Sequence, residues 1–517
     1  MDYNKPESKK MKAILTILLI IMSIYSSQFA YSEELDQIKD IIPPENNITQ
    51  SLDSEKIIDN NLQPDNTLQP VVPEQPKVQA EITLDCPKDQ VPITLEKSIQ
   101  TALENNYGIK IISTQQTRDK WLYYNDLSDF LPDVSFNYTQ TRFGGAFLVG
   151  GVVPVDVTST NINTGFAAQW DGFTGLRRYF NTRASRAIYN ASKKNLELTQ
   201  DQVLLLSTKQ YYTLLQDKLN IEILKVALEQ TQAQLRINQQ RFEAGVGTRF
   251  DILRAEAEVA SAEQNLIAAY NRLRLSQAQL ANTLGINIFT PLVPAEEEVE
   301  PKTLFKDCFD LTEVTQIAIK NKPELDIAEL NIAATRARRN SVYSIYLPTV
   351  SVRSTVNLTG REITDLNQNQ SVALLVSWLG GENLGLEGLT SVKALNAQVE
   401  EAKLRLIDTT RNLEQSIVNS FYDIITAREL IAATRAEVVS AQESLRLAVI
   451  RLEEGVGIYT DVIAAQLTET QARIKYLNAI IGYNTSQAQL LFDMGVISPN
   501  NLLQGYTEEE ATSDIKK

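Results

Sequence analysis

RFEAGVGTRFDIL (residues 241–253) and RLEEGVGIYTDVI (residues 451–463) decide the fold. Each carries Gly-Val-Gly between two long stretches free of helix-breaking residues. Residues 176–244 and 248–284 contain neither glycine nor proline, and 389–454 and 458–481 are equally clean around the second turn. Because glycine and proline punctuate helices most strongly, runs of this length predict long helices. At 1.5 Å per residue the first spans roughly 100 Å. Gly-Val-Gly then becomes the turn of a helical hairpin, with glycine free to take a positive φ just past a helix end.

The surroundings of the two turns are written twice. Tyr211-Tyr212, Arg241, Asp251 and Ala278-Gln279-Leu280 recur 210 residues later as Phe421-Tyr422, Arg451, Asp461 and Ala488-Gln489-Leu490. Upstream, Leu95, Ala102, Asn105 and Leu131-Pro132 recur at an offset of 216 as Leu311, Ala318, Asn321 and Leu347-Pro348. A unit of this length exceeds any solenoid repeat, so the pattern is a duplicated half.

On the longest helix, Leu198, Leu205, Tyr212, Leu219 and Val226 form one seven-residue series, and Leu214, Ile221, Leu228, Leu235 and Phe242 form another. The two series are displaced by two residues, about 200° of helix, and therefore lie on opposite sides. Such a helix has a neighbour on each flank, which suits a wall or cylinder of helices.

Between the short opening helices and the long ones the period changes to two. Val134, Phe136 and Tyr138 alternate with Ser135, Asn137 and Thr139, and Ile162, Phe166, Ala168 and Trp170 alternate with polar or small residues. The second copy has Val350, Val352, Val356 and Leu358, then Val372, Leu374, Val376 and Trp378. This predicts strands of about ten residues with one apolar face; a soluble hairpin and a transmembrane β-barrel share that alternation, and the barrel puts Val352 and Leu374 toward lipid and Ser351 toward the lumen. Tyr138, Trp170 and Trp378 are placed as interfacial aromatics. Two hairpins supply four strands per chain, whereas a closed spanning barrel needs at least eight. Open strand edges are not tolerated in hydrocarbon, so a membrane reading requires several chains.

Lys9, Lys10 and Lys12 precede an uncharged run from Ala13 to Ile24, and Ala30-Tyr31-Ser32 offers small residues for cleavage before Glu33. Residues 1–32 therefore read as a secretory signal peptide. Residues 33–90, acidic and rich in proline, read as a disordered linker. The copies follow at 91–287 and 310–496, joined by a linker at 288–309 and followed by a tail at 497–517. The 517-residue chain has 49 Lys plus Arg, 64 Asp plus Glu, a net charge of −15 and no histidine. The charge excludes nucleic acid as a partner. Without histidine, and with two cysteines, no Cys/His zinc site is available. There is no phosphate-binding loop and no nucleophile elbow, so no enzyme, cofactor or metal site is expected. Cys86 and Cys308 each lie shortly before a copy; a disulfide between them and a pair of free thiols both stay open.

The duplicated order of short helices, Leu-Pro-led hairpin, long helix, glycine-containing turn and long helix, over residues 93 to 496, resembles the TolC family of outer-membrane efflux proteins. The resemblance implies a mainly α chain with a transmembrane β-barrel portion. Three copies would share a twelve-stranded β-barrel in outer-membrane lipid and a trimeric α-barrel through the periplasm. It also implies a passive exit duct of an efflux or type I secretion system, served by an inner-membrane pump and a periplasmic adaptor.

The adaptor would dock at the tips, here Gly245, Val246, Gly247, Gly455, Val456 and Gly457. A periplasmic aperture would be lined by Asp461, with Asp251 in the corresponding place after the first turn. Ala464 stands where the best-known members have a second acidic residue, which leaves one ring. Leu452 and Gly457 replace the Tyr and Arg of their closing links. The exit Trp378-Leu379-Gly380-Gly381 is longer and more apolar than Trp170-Asp171-Gly172, so the following helix start is open. The competing reading is a soluble periplasmic coiled-coil adaptor or scaffold that never enters the membrane.

Overall fold

The computed structural model describes residues 90–149, 153–305, 310–378 and 386–506, with the side chains of 146–149 and 153–157 left out. The signal-peptide reading, nearly all of the acidic linker, Cys86, Cys308 and exit residues 379–385 fall outside the described residues.

Strand β1 (Val91–Ile93) leads into the short helices α1 (Leu95–Asn105) and α2 (Tyr107–Ser128), then strands β2 (Asp133–Val149) and β3 (Val153–Thr174). The first long hairpin is α3 (Arg177–Glu243) and α4 (Arg249–Thr283), followed by β4 (Leu292–Pro294). The second copy contributes α5 (Leu311–Asn321), α6 (Pro323–Val342), β5 (Thr349–Glu362), β6 (Asp365–Ser377), α7 (Leu386–Glu453) and α8 (Tyr459–Asp493), and α9 (Pro499–Gln504) ends the described chain.

The long helices form a wall one helix thick. In its first half α3 packs between α2 and α6, and in its second half between α4 and α8, while α7 packs on α6 and α8. The opposed seams read from the sequence are thus both used: Leu205 and Tyr212 are buried on one series, Leu214 and Ile221 on the other. Short and long helices stack end to end. Asn106 Nδ2 donates to the Thr283 carbonyl at 2.7 Å where α2 continues the line of α4. Lys322 Nζ donates to the Phe492 carbonyl at 2.7 Å where α6 continues α8.

Around this level an equatorial layer covers one face of the wall. Strands β1 and β4 pair in parallel there, and Ile99, Leu214, Leu280, Leu284, Leu292, Leu491 and Met494 are fully buried in its core. Lys218 Nζ holds β4 by donating to the carbonyls of Pro294 at 3.1 Å and Glu296 at 2.9 Å.

The four long strands form one antiparallel sheet in the order β2-β3-β5-β6, so that among the described residues β2 and β6 are its unpaired edges. The strands have 17, 22, 14 and 13 residues, longer than the ten expected from the apolar alternation. Ladder hydrogen bonds carry the pairing past the alternating residues, through Gln140–Gly145 of β2 and Asp365–Gln370 of β6, where the apolar alternation lapses. Helix α8 likewise runs through Gly482 to Asp493, beyond the breaker-free run that ends at 481. The cost of one helical glycine, about 1 kcal/mol, is offset here by dense burial of the following turns at Tyr483, Ala488, Leu490 and Leu491. After the second hairpin the helix is described from Leu386 onward, and its start, left open by the sequence, borders residues outside the described ones.

Candidate functional site: the helical tips and the sheet face

Both tips are built by the same backbone bonds. At the first, the amides of Val246 and Gly247 donate to the Arg241 carbonyl at 3.0 and 2.9 Å, and Gly245 has φ +76. At the second, Val456 and Gly457 donate to the Arg451 carbonyl at 3.1 and 2.8 Å, and Gly455 has φ +74. These are helix C-caps of the Schellman type, with carbonyls otherwise left unpaired satisfied by the turn.

The two glycines of each motif are there for different reasons. A Cβ on Gly245 or Gly455 meets nothing within 4 Å, so the requirement is the positive φ. A Cβ on Gly247 would lie 2.9 Å from the Phe242 amide nitrogen, and one on Gly457 would lie 2.9 Å from the Arg451 carbonyl carbon, so the second glycine is needed for close backbone approach. Val246 and Val456 between them are 70% and 72% exposed, projecting from the ends of the hairpins.

The tips are tied together. Arg241 Nη1 donates to the Leu452 carbonyl at 3.2 Å, and Leu452, Tyr459, Val462 and Ala255 form a small buried cluster. Burial, with the Glu258 carboxylate nearby, pushes the Tyr459 hydroxyl up. The recurrence of Arg241 and Arg451 pointed to this place, but no sequence feature announced that one of them bridges the copies.

The starts of the returning helices differ. Thr248 caps α4, accepting from the Asp251 amide at 3.2 Å, while Asp251 Oδ2 accepts from the Thr248 amide at 3.1 Å and hydroxyl at 2.7 Å. Helix α8 begins after Ile458, which has no side-chain acceptor. Asp461 is exposed, and among the described residues no side chain bonds or pairs with it. The structure thus brings both acids to the tip region, with Asp251 engaged in a capping box and Asp461 free.

At the other end the sheet has one continuous apolar face. Phe136 pairs with Phe166, Phe166 with Val356, Trp170 with Val352, and Val352 with Leu374, so the apolar residues of all four strands share a side. Val134, Phe136, Trp170, Leu374 and Val376 are exposed on it. The opposite face carries Ser135, Asn137, Asn163, Ser351 and a Thr355–Ser371 hydroxyl pair at 2.6 Å. Trp170 Nε1 donates to the Phe130 carbonyl at 3.1 Å, and Trp378 Nε1 to the Tyr346 carbonyl at 3.3 Å. Each indole therefore pins the last strand of its hairpin to the chain just before Leu-Pro. Among the described residues no helix is long and apolar enough to cross a membrane, and no group of His, Cys, Asp and Glu is arranged to hold a metal.

The outer membrane efflux protein family matches residues 128–286 and 314–496. The chain belongs to that family. This is the TolC group that the duplicated pattern resembled, and it decides for the duct over the soluble scaffold. The chain is 21% identical over 421 residues to the probable efflux pump outer membrane protein TtgC of Pseudomonas putida, covering 78% of this chain and 82% of that one. It is 24% identical over 320 residues to the alkaline protease secretion protein AprF of Pseudomonas aeruginosa, covering 59% and 64%. The solved CmeC outer membrane channel of Campylobacter jejuni superposes with a TM-score of 0.70 at 16% identity, over 82% of this chain and 89% of that one. The protein is an outer-membrane channel that extends into the periplasm and serves efflux or type I secretion, in a family of channels and not of enzymes.

Proposed function

We propose that three copies close one passive duct, each contributing four strands to a twelve-stranded barrel in outer-membrane lipid and one helical wall to the periplasmic tube. The observation that carries this is the match of free flanks along the whole length. Edge strand β2 continues into the α2/α4 side of the wall, and edge strand β6 into α7, so each chain offers two unpaired edges on opposite sides. A head-to-tail contact of that kind closes into a ring, and a sheet edge in hydrocarbon must be paired.

The tips Gly245-Val246-Gly247 and Gly455-Val456-Gly457 are the docking points for a periplasmic adaptor, which links the duct to an inner-membrane pump. Asp461 from three chains lines the periplasmic aperture and favours cations there, while Asp251 fixes the neighbouring helix start. The chain performs no covalent chemistry. Residues 91–287 and 310–496 act as the two repeats, reached after a cleaved leader at 1–32 and an acidic linker at 33–90. Recovery of the mature chain as a heat-sensitive trimer in the outer-membrane fraction is the expected result, and recovery as a soluble monomer contradicts it.

A further inference from the structure

We propose that the outer face of the helical wall, just below the sheet, binds the anionic headgroup of a phospholipid from the inner leaflet of the outer membrane, with Arg183 and Arg186 as the phosphate-binding side chains. An open groove of about 560 Å³ lies between α2 and α6, with α3 as its floor. Leu127, Phe130, Tyr179 and Leu330 give it apolar and aromatic walls, and no acidic residue lines it. Both arginines are exposed, and neither makes an ion pair among the described residues. A planar guanidinium binds phosphate through paired N–H donors, and the apolar walls suit the glycerol and the first acyl carbons.

The side of the wall follows from the heptad. Arg183, Asn190, Glu197, Leu204, Tyr211 and Lys218 recur every seven residues and share one side of a helix packed in this way. Lys218 bonds β4, and Tyr211 is 1% exposed beneath the equatorial layer. The groove is therefore on the face that carries that layer. Since the wall is one helix thick, an open lumen requires that face to be the outside.

The level follows from the tryptophan clasp. Phe130, in the groove wall, has its carbonyl held by Trp170, which belongs to the apolar face of the sheet. Helix α3 starts at Arg177, so Arg183 and Arg186 stand roughly 9 and 14 Å below the end of the sheet. A headgroup layer adds about 5 to 8 Å beyond the hydrocarbon, and a long arginine side chain reaches up toward it. Further down, Lys194 is neutralised by Glu197 at 2.8 Å and Asp326 at 3.3 Å, and the neighbouring Lys193 lies 4.4 Å over the Tyr189 ring. The groove lies on the inner flank of α2, away from the free flank that a second copy covers.

The proposal rests on the outer-membrane duct reading. Its test reconstitutes the trimer into phosphatidylcholine vesicles with and without phosphatidylglycerol and follows the temperature at which the trimer dissociates. Phosphatidylglycerol should raise that temperature for the wild type and for Arg405→Gln/Arg446→Gln, which removes the same charge elsewhere. It should not do so for Arg183→Gln/Arg186→Gln, and Arg183→Lys/Arg186→Lys should keep part of the shift. An equal shift in the Arg183→Gln/Arg186→Gln trimer overturns the lipid site. So does an equal shift from inorganic phosphate in phosphatidylcholine vesicles, which makes the groove a free-anion site. Inserted, conducting wild-type trimers without any phosphatidylglycerol effect remove the lipid site alone, and a wild type that never enters vesicles removes both readings.

Discussion

The two tips share every backbone bond of the turn and differ in the side chains that start the returning helix. In the first copy Thr248 and Asp251 satisfy each other; in the second Ile458 offers no side-chain acceptor and Asp461 has no side-chain partner among the described residues. The same contrast appears at the equator. Asn106 of the first copy makes a neutral bond to the Thr283 carbonyl, whereas its counterpart Lys322, buried at 3% exposure, lies near Asp201 and Asp493. Burial pushes the Asp201 carboxyl up to about 7, against the pull of Lys322, and Asp493 Oδ2 is buried without a hydrogen-bond partner among the described residues. Duplication has kept the backbone geometry in both halves, while the uncapped Asp461 and the buried Lys322 belong to the second, the latter facing the raised Asp201 carboxyl of the first.

The largest effect should come where the copies share a face. Val352 of the second copy pairs with Trp170 of the first and with Leu374, so Val352→Arg or Leu374→Arg places a charge on the common lipid side. Each should cost roughly 2 to 4 kcal/mol per chain and abolish trimer insertion, measured as heat-sensitive trimer in membranes. Ser351→Arg, on the opposite face, should insert nearly normally. Equal damage from both would break the register.

Next in size are the turn glycines, where the two copies should behave alike and the two positions differently. Gly247→Ala and Gly457→Ala force backbone atoms apart and should open the tip. Gly245→Ala and Gly455→Ala cost only the positive φ, about 1 to 2 kcal/mol. Hydrogen exchange at the tip amides separates them.

At the helix starts the copies should part. Thr248→Ala should destabilise the first tip by about 1 kcal/mol, the usual loss on removing a cap, and Asp461→Asn should leave the second tip's stability unchanged. Function should run the other way: Asp461→Asn should lower cation selectivity and block by multivalent cations in single-channel recordings, and Asp251→Asn should do less. Ile458→Thr sharpens the contrast, since it installs the missing cap, ties up Asp461 and should reduce selectivity without removing any charge.

The equator should show itself as a pH dependence. The Asp201 carboxyl titrates higher in the folded chain than the ordinary carboxylate value near 4, so the folded state holds the extra proton. Stability is unaffected below about pH 4, falls as pH rises from about 4 to 7, and stays lowered above that. Asp201→Asn should flatten this slope in melting temperatures taken across that range. An unchanged slope would assign the titration to another group.

Much of this was legible in the chain. Gly-Val-Gly, the breaker-free runs and the seven-residue series are local signals, and period-two alternation placed the apolar residues of four strands on one face. Strand ends and the passage of α8 through Gly482 were not legible, because ladder bonds and burial decide them and neither leaves a local trace. The tryptophan clasps, the Arg241 bridge and the Lys322 cluster join residues separated by 32 to 211 positions. Only the offset between copies hinted at them, since Trp170 and Trp378 are 208 residues apart while their acceptors Phe130 and Tyr346 are 216 apart.

Cross-linking of the free edges tests the central claim most directly. In a chain with Cys86 and Cys308 replaced by serine, cysteines at Ser135 on β2 and Leu375 on β6 stand two residues from the periplasmic ends of the two edge strands. A bismaleimide too short to span the sheet of one chain is added to outer membranes. The expected result is a ladder of monomer, dimer and trimer that ends at three, with full conversion to trimer at completion. Monomer alone, or a ladder that continues past three, would contradict a barrel closed by three copies.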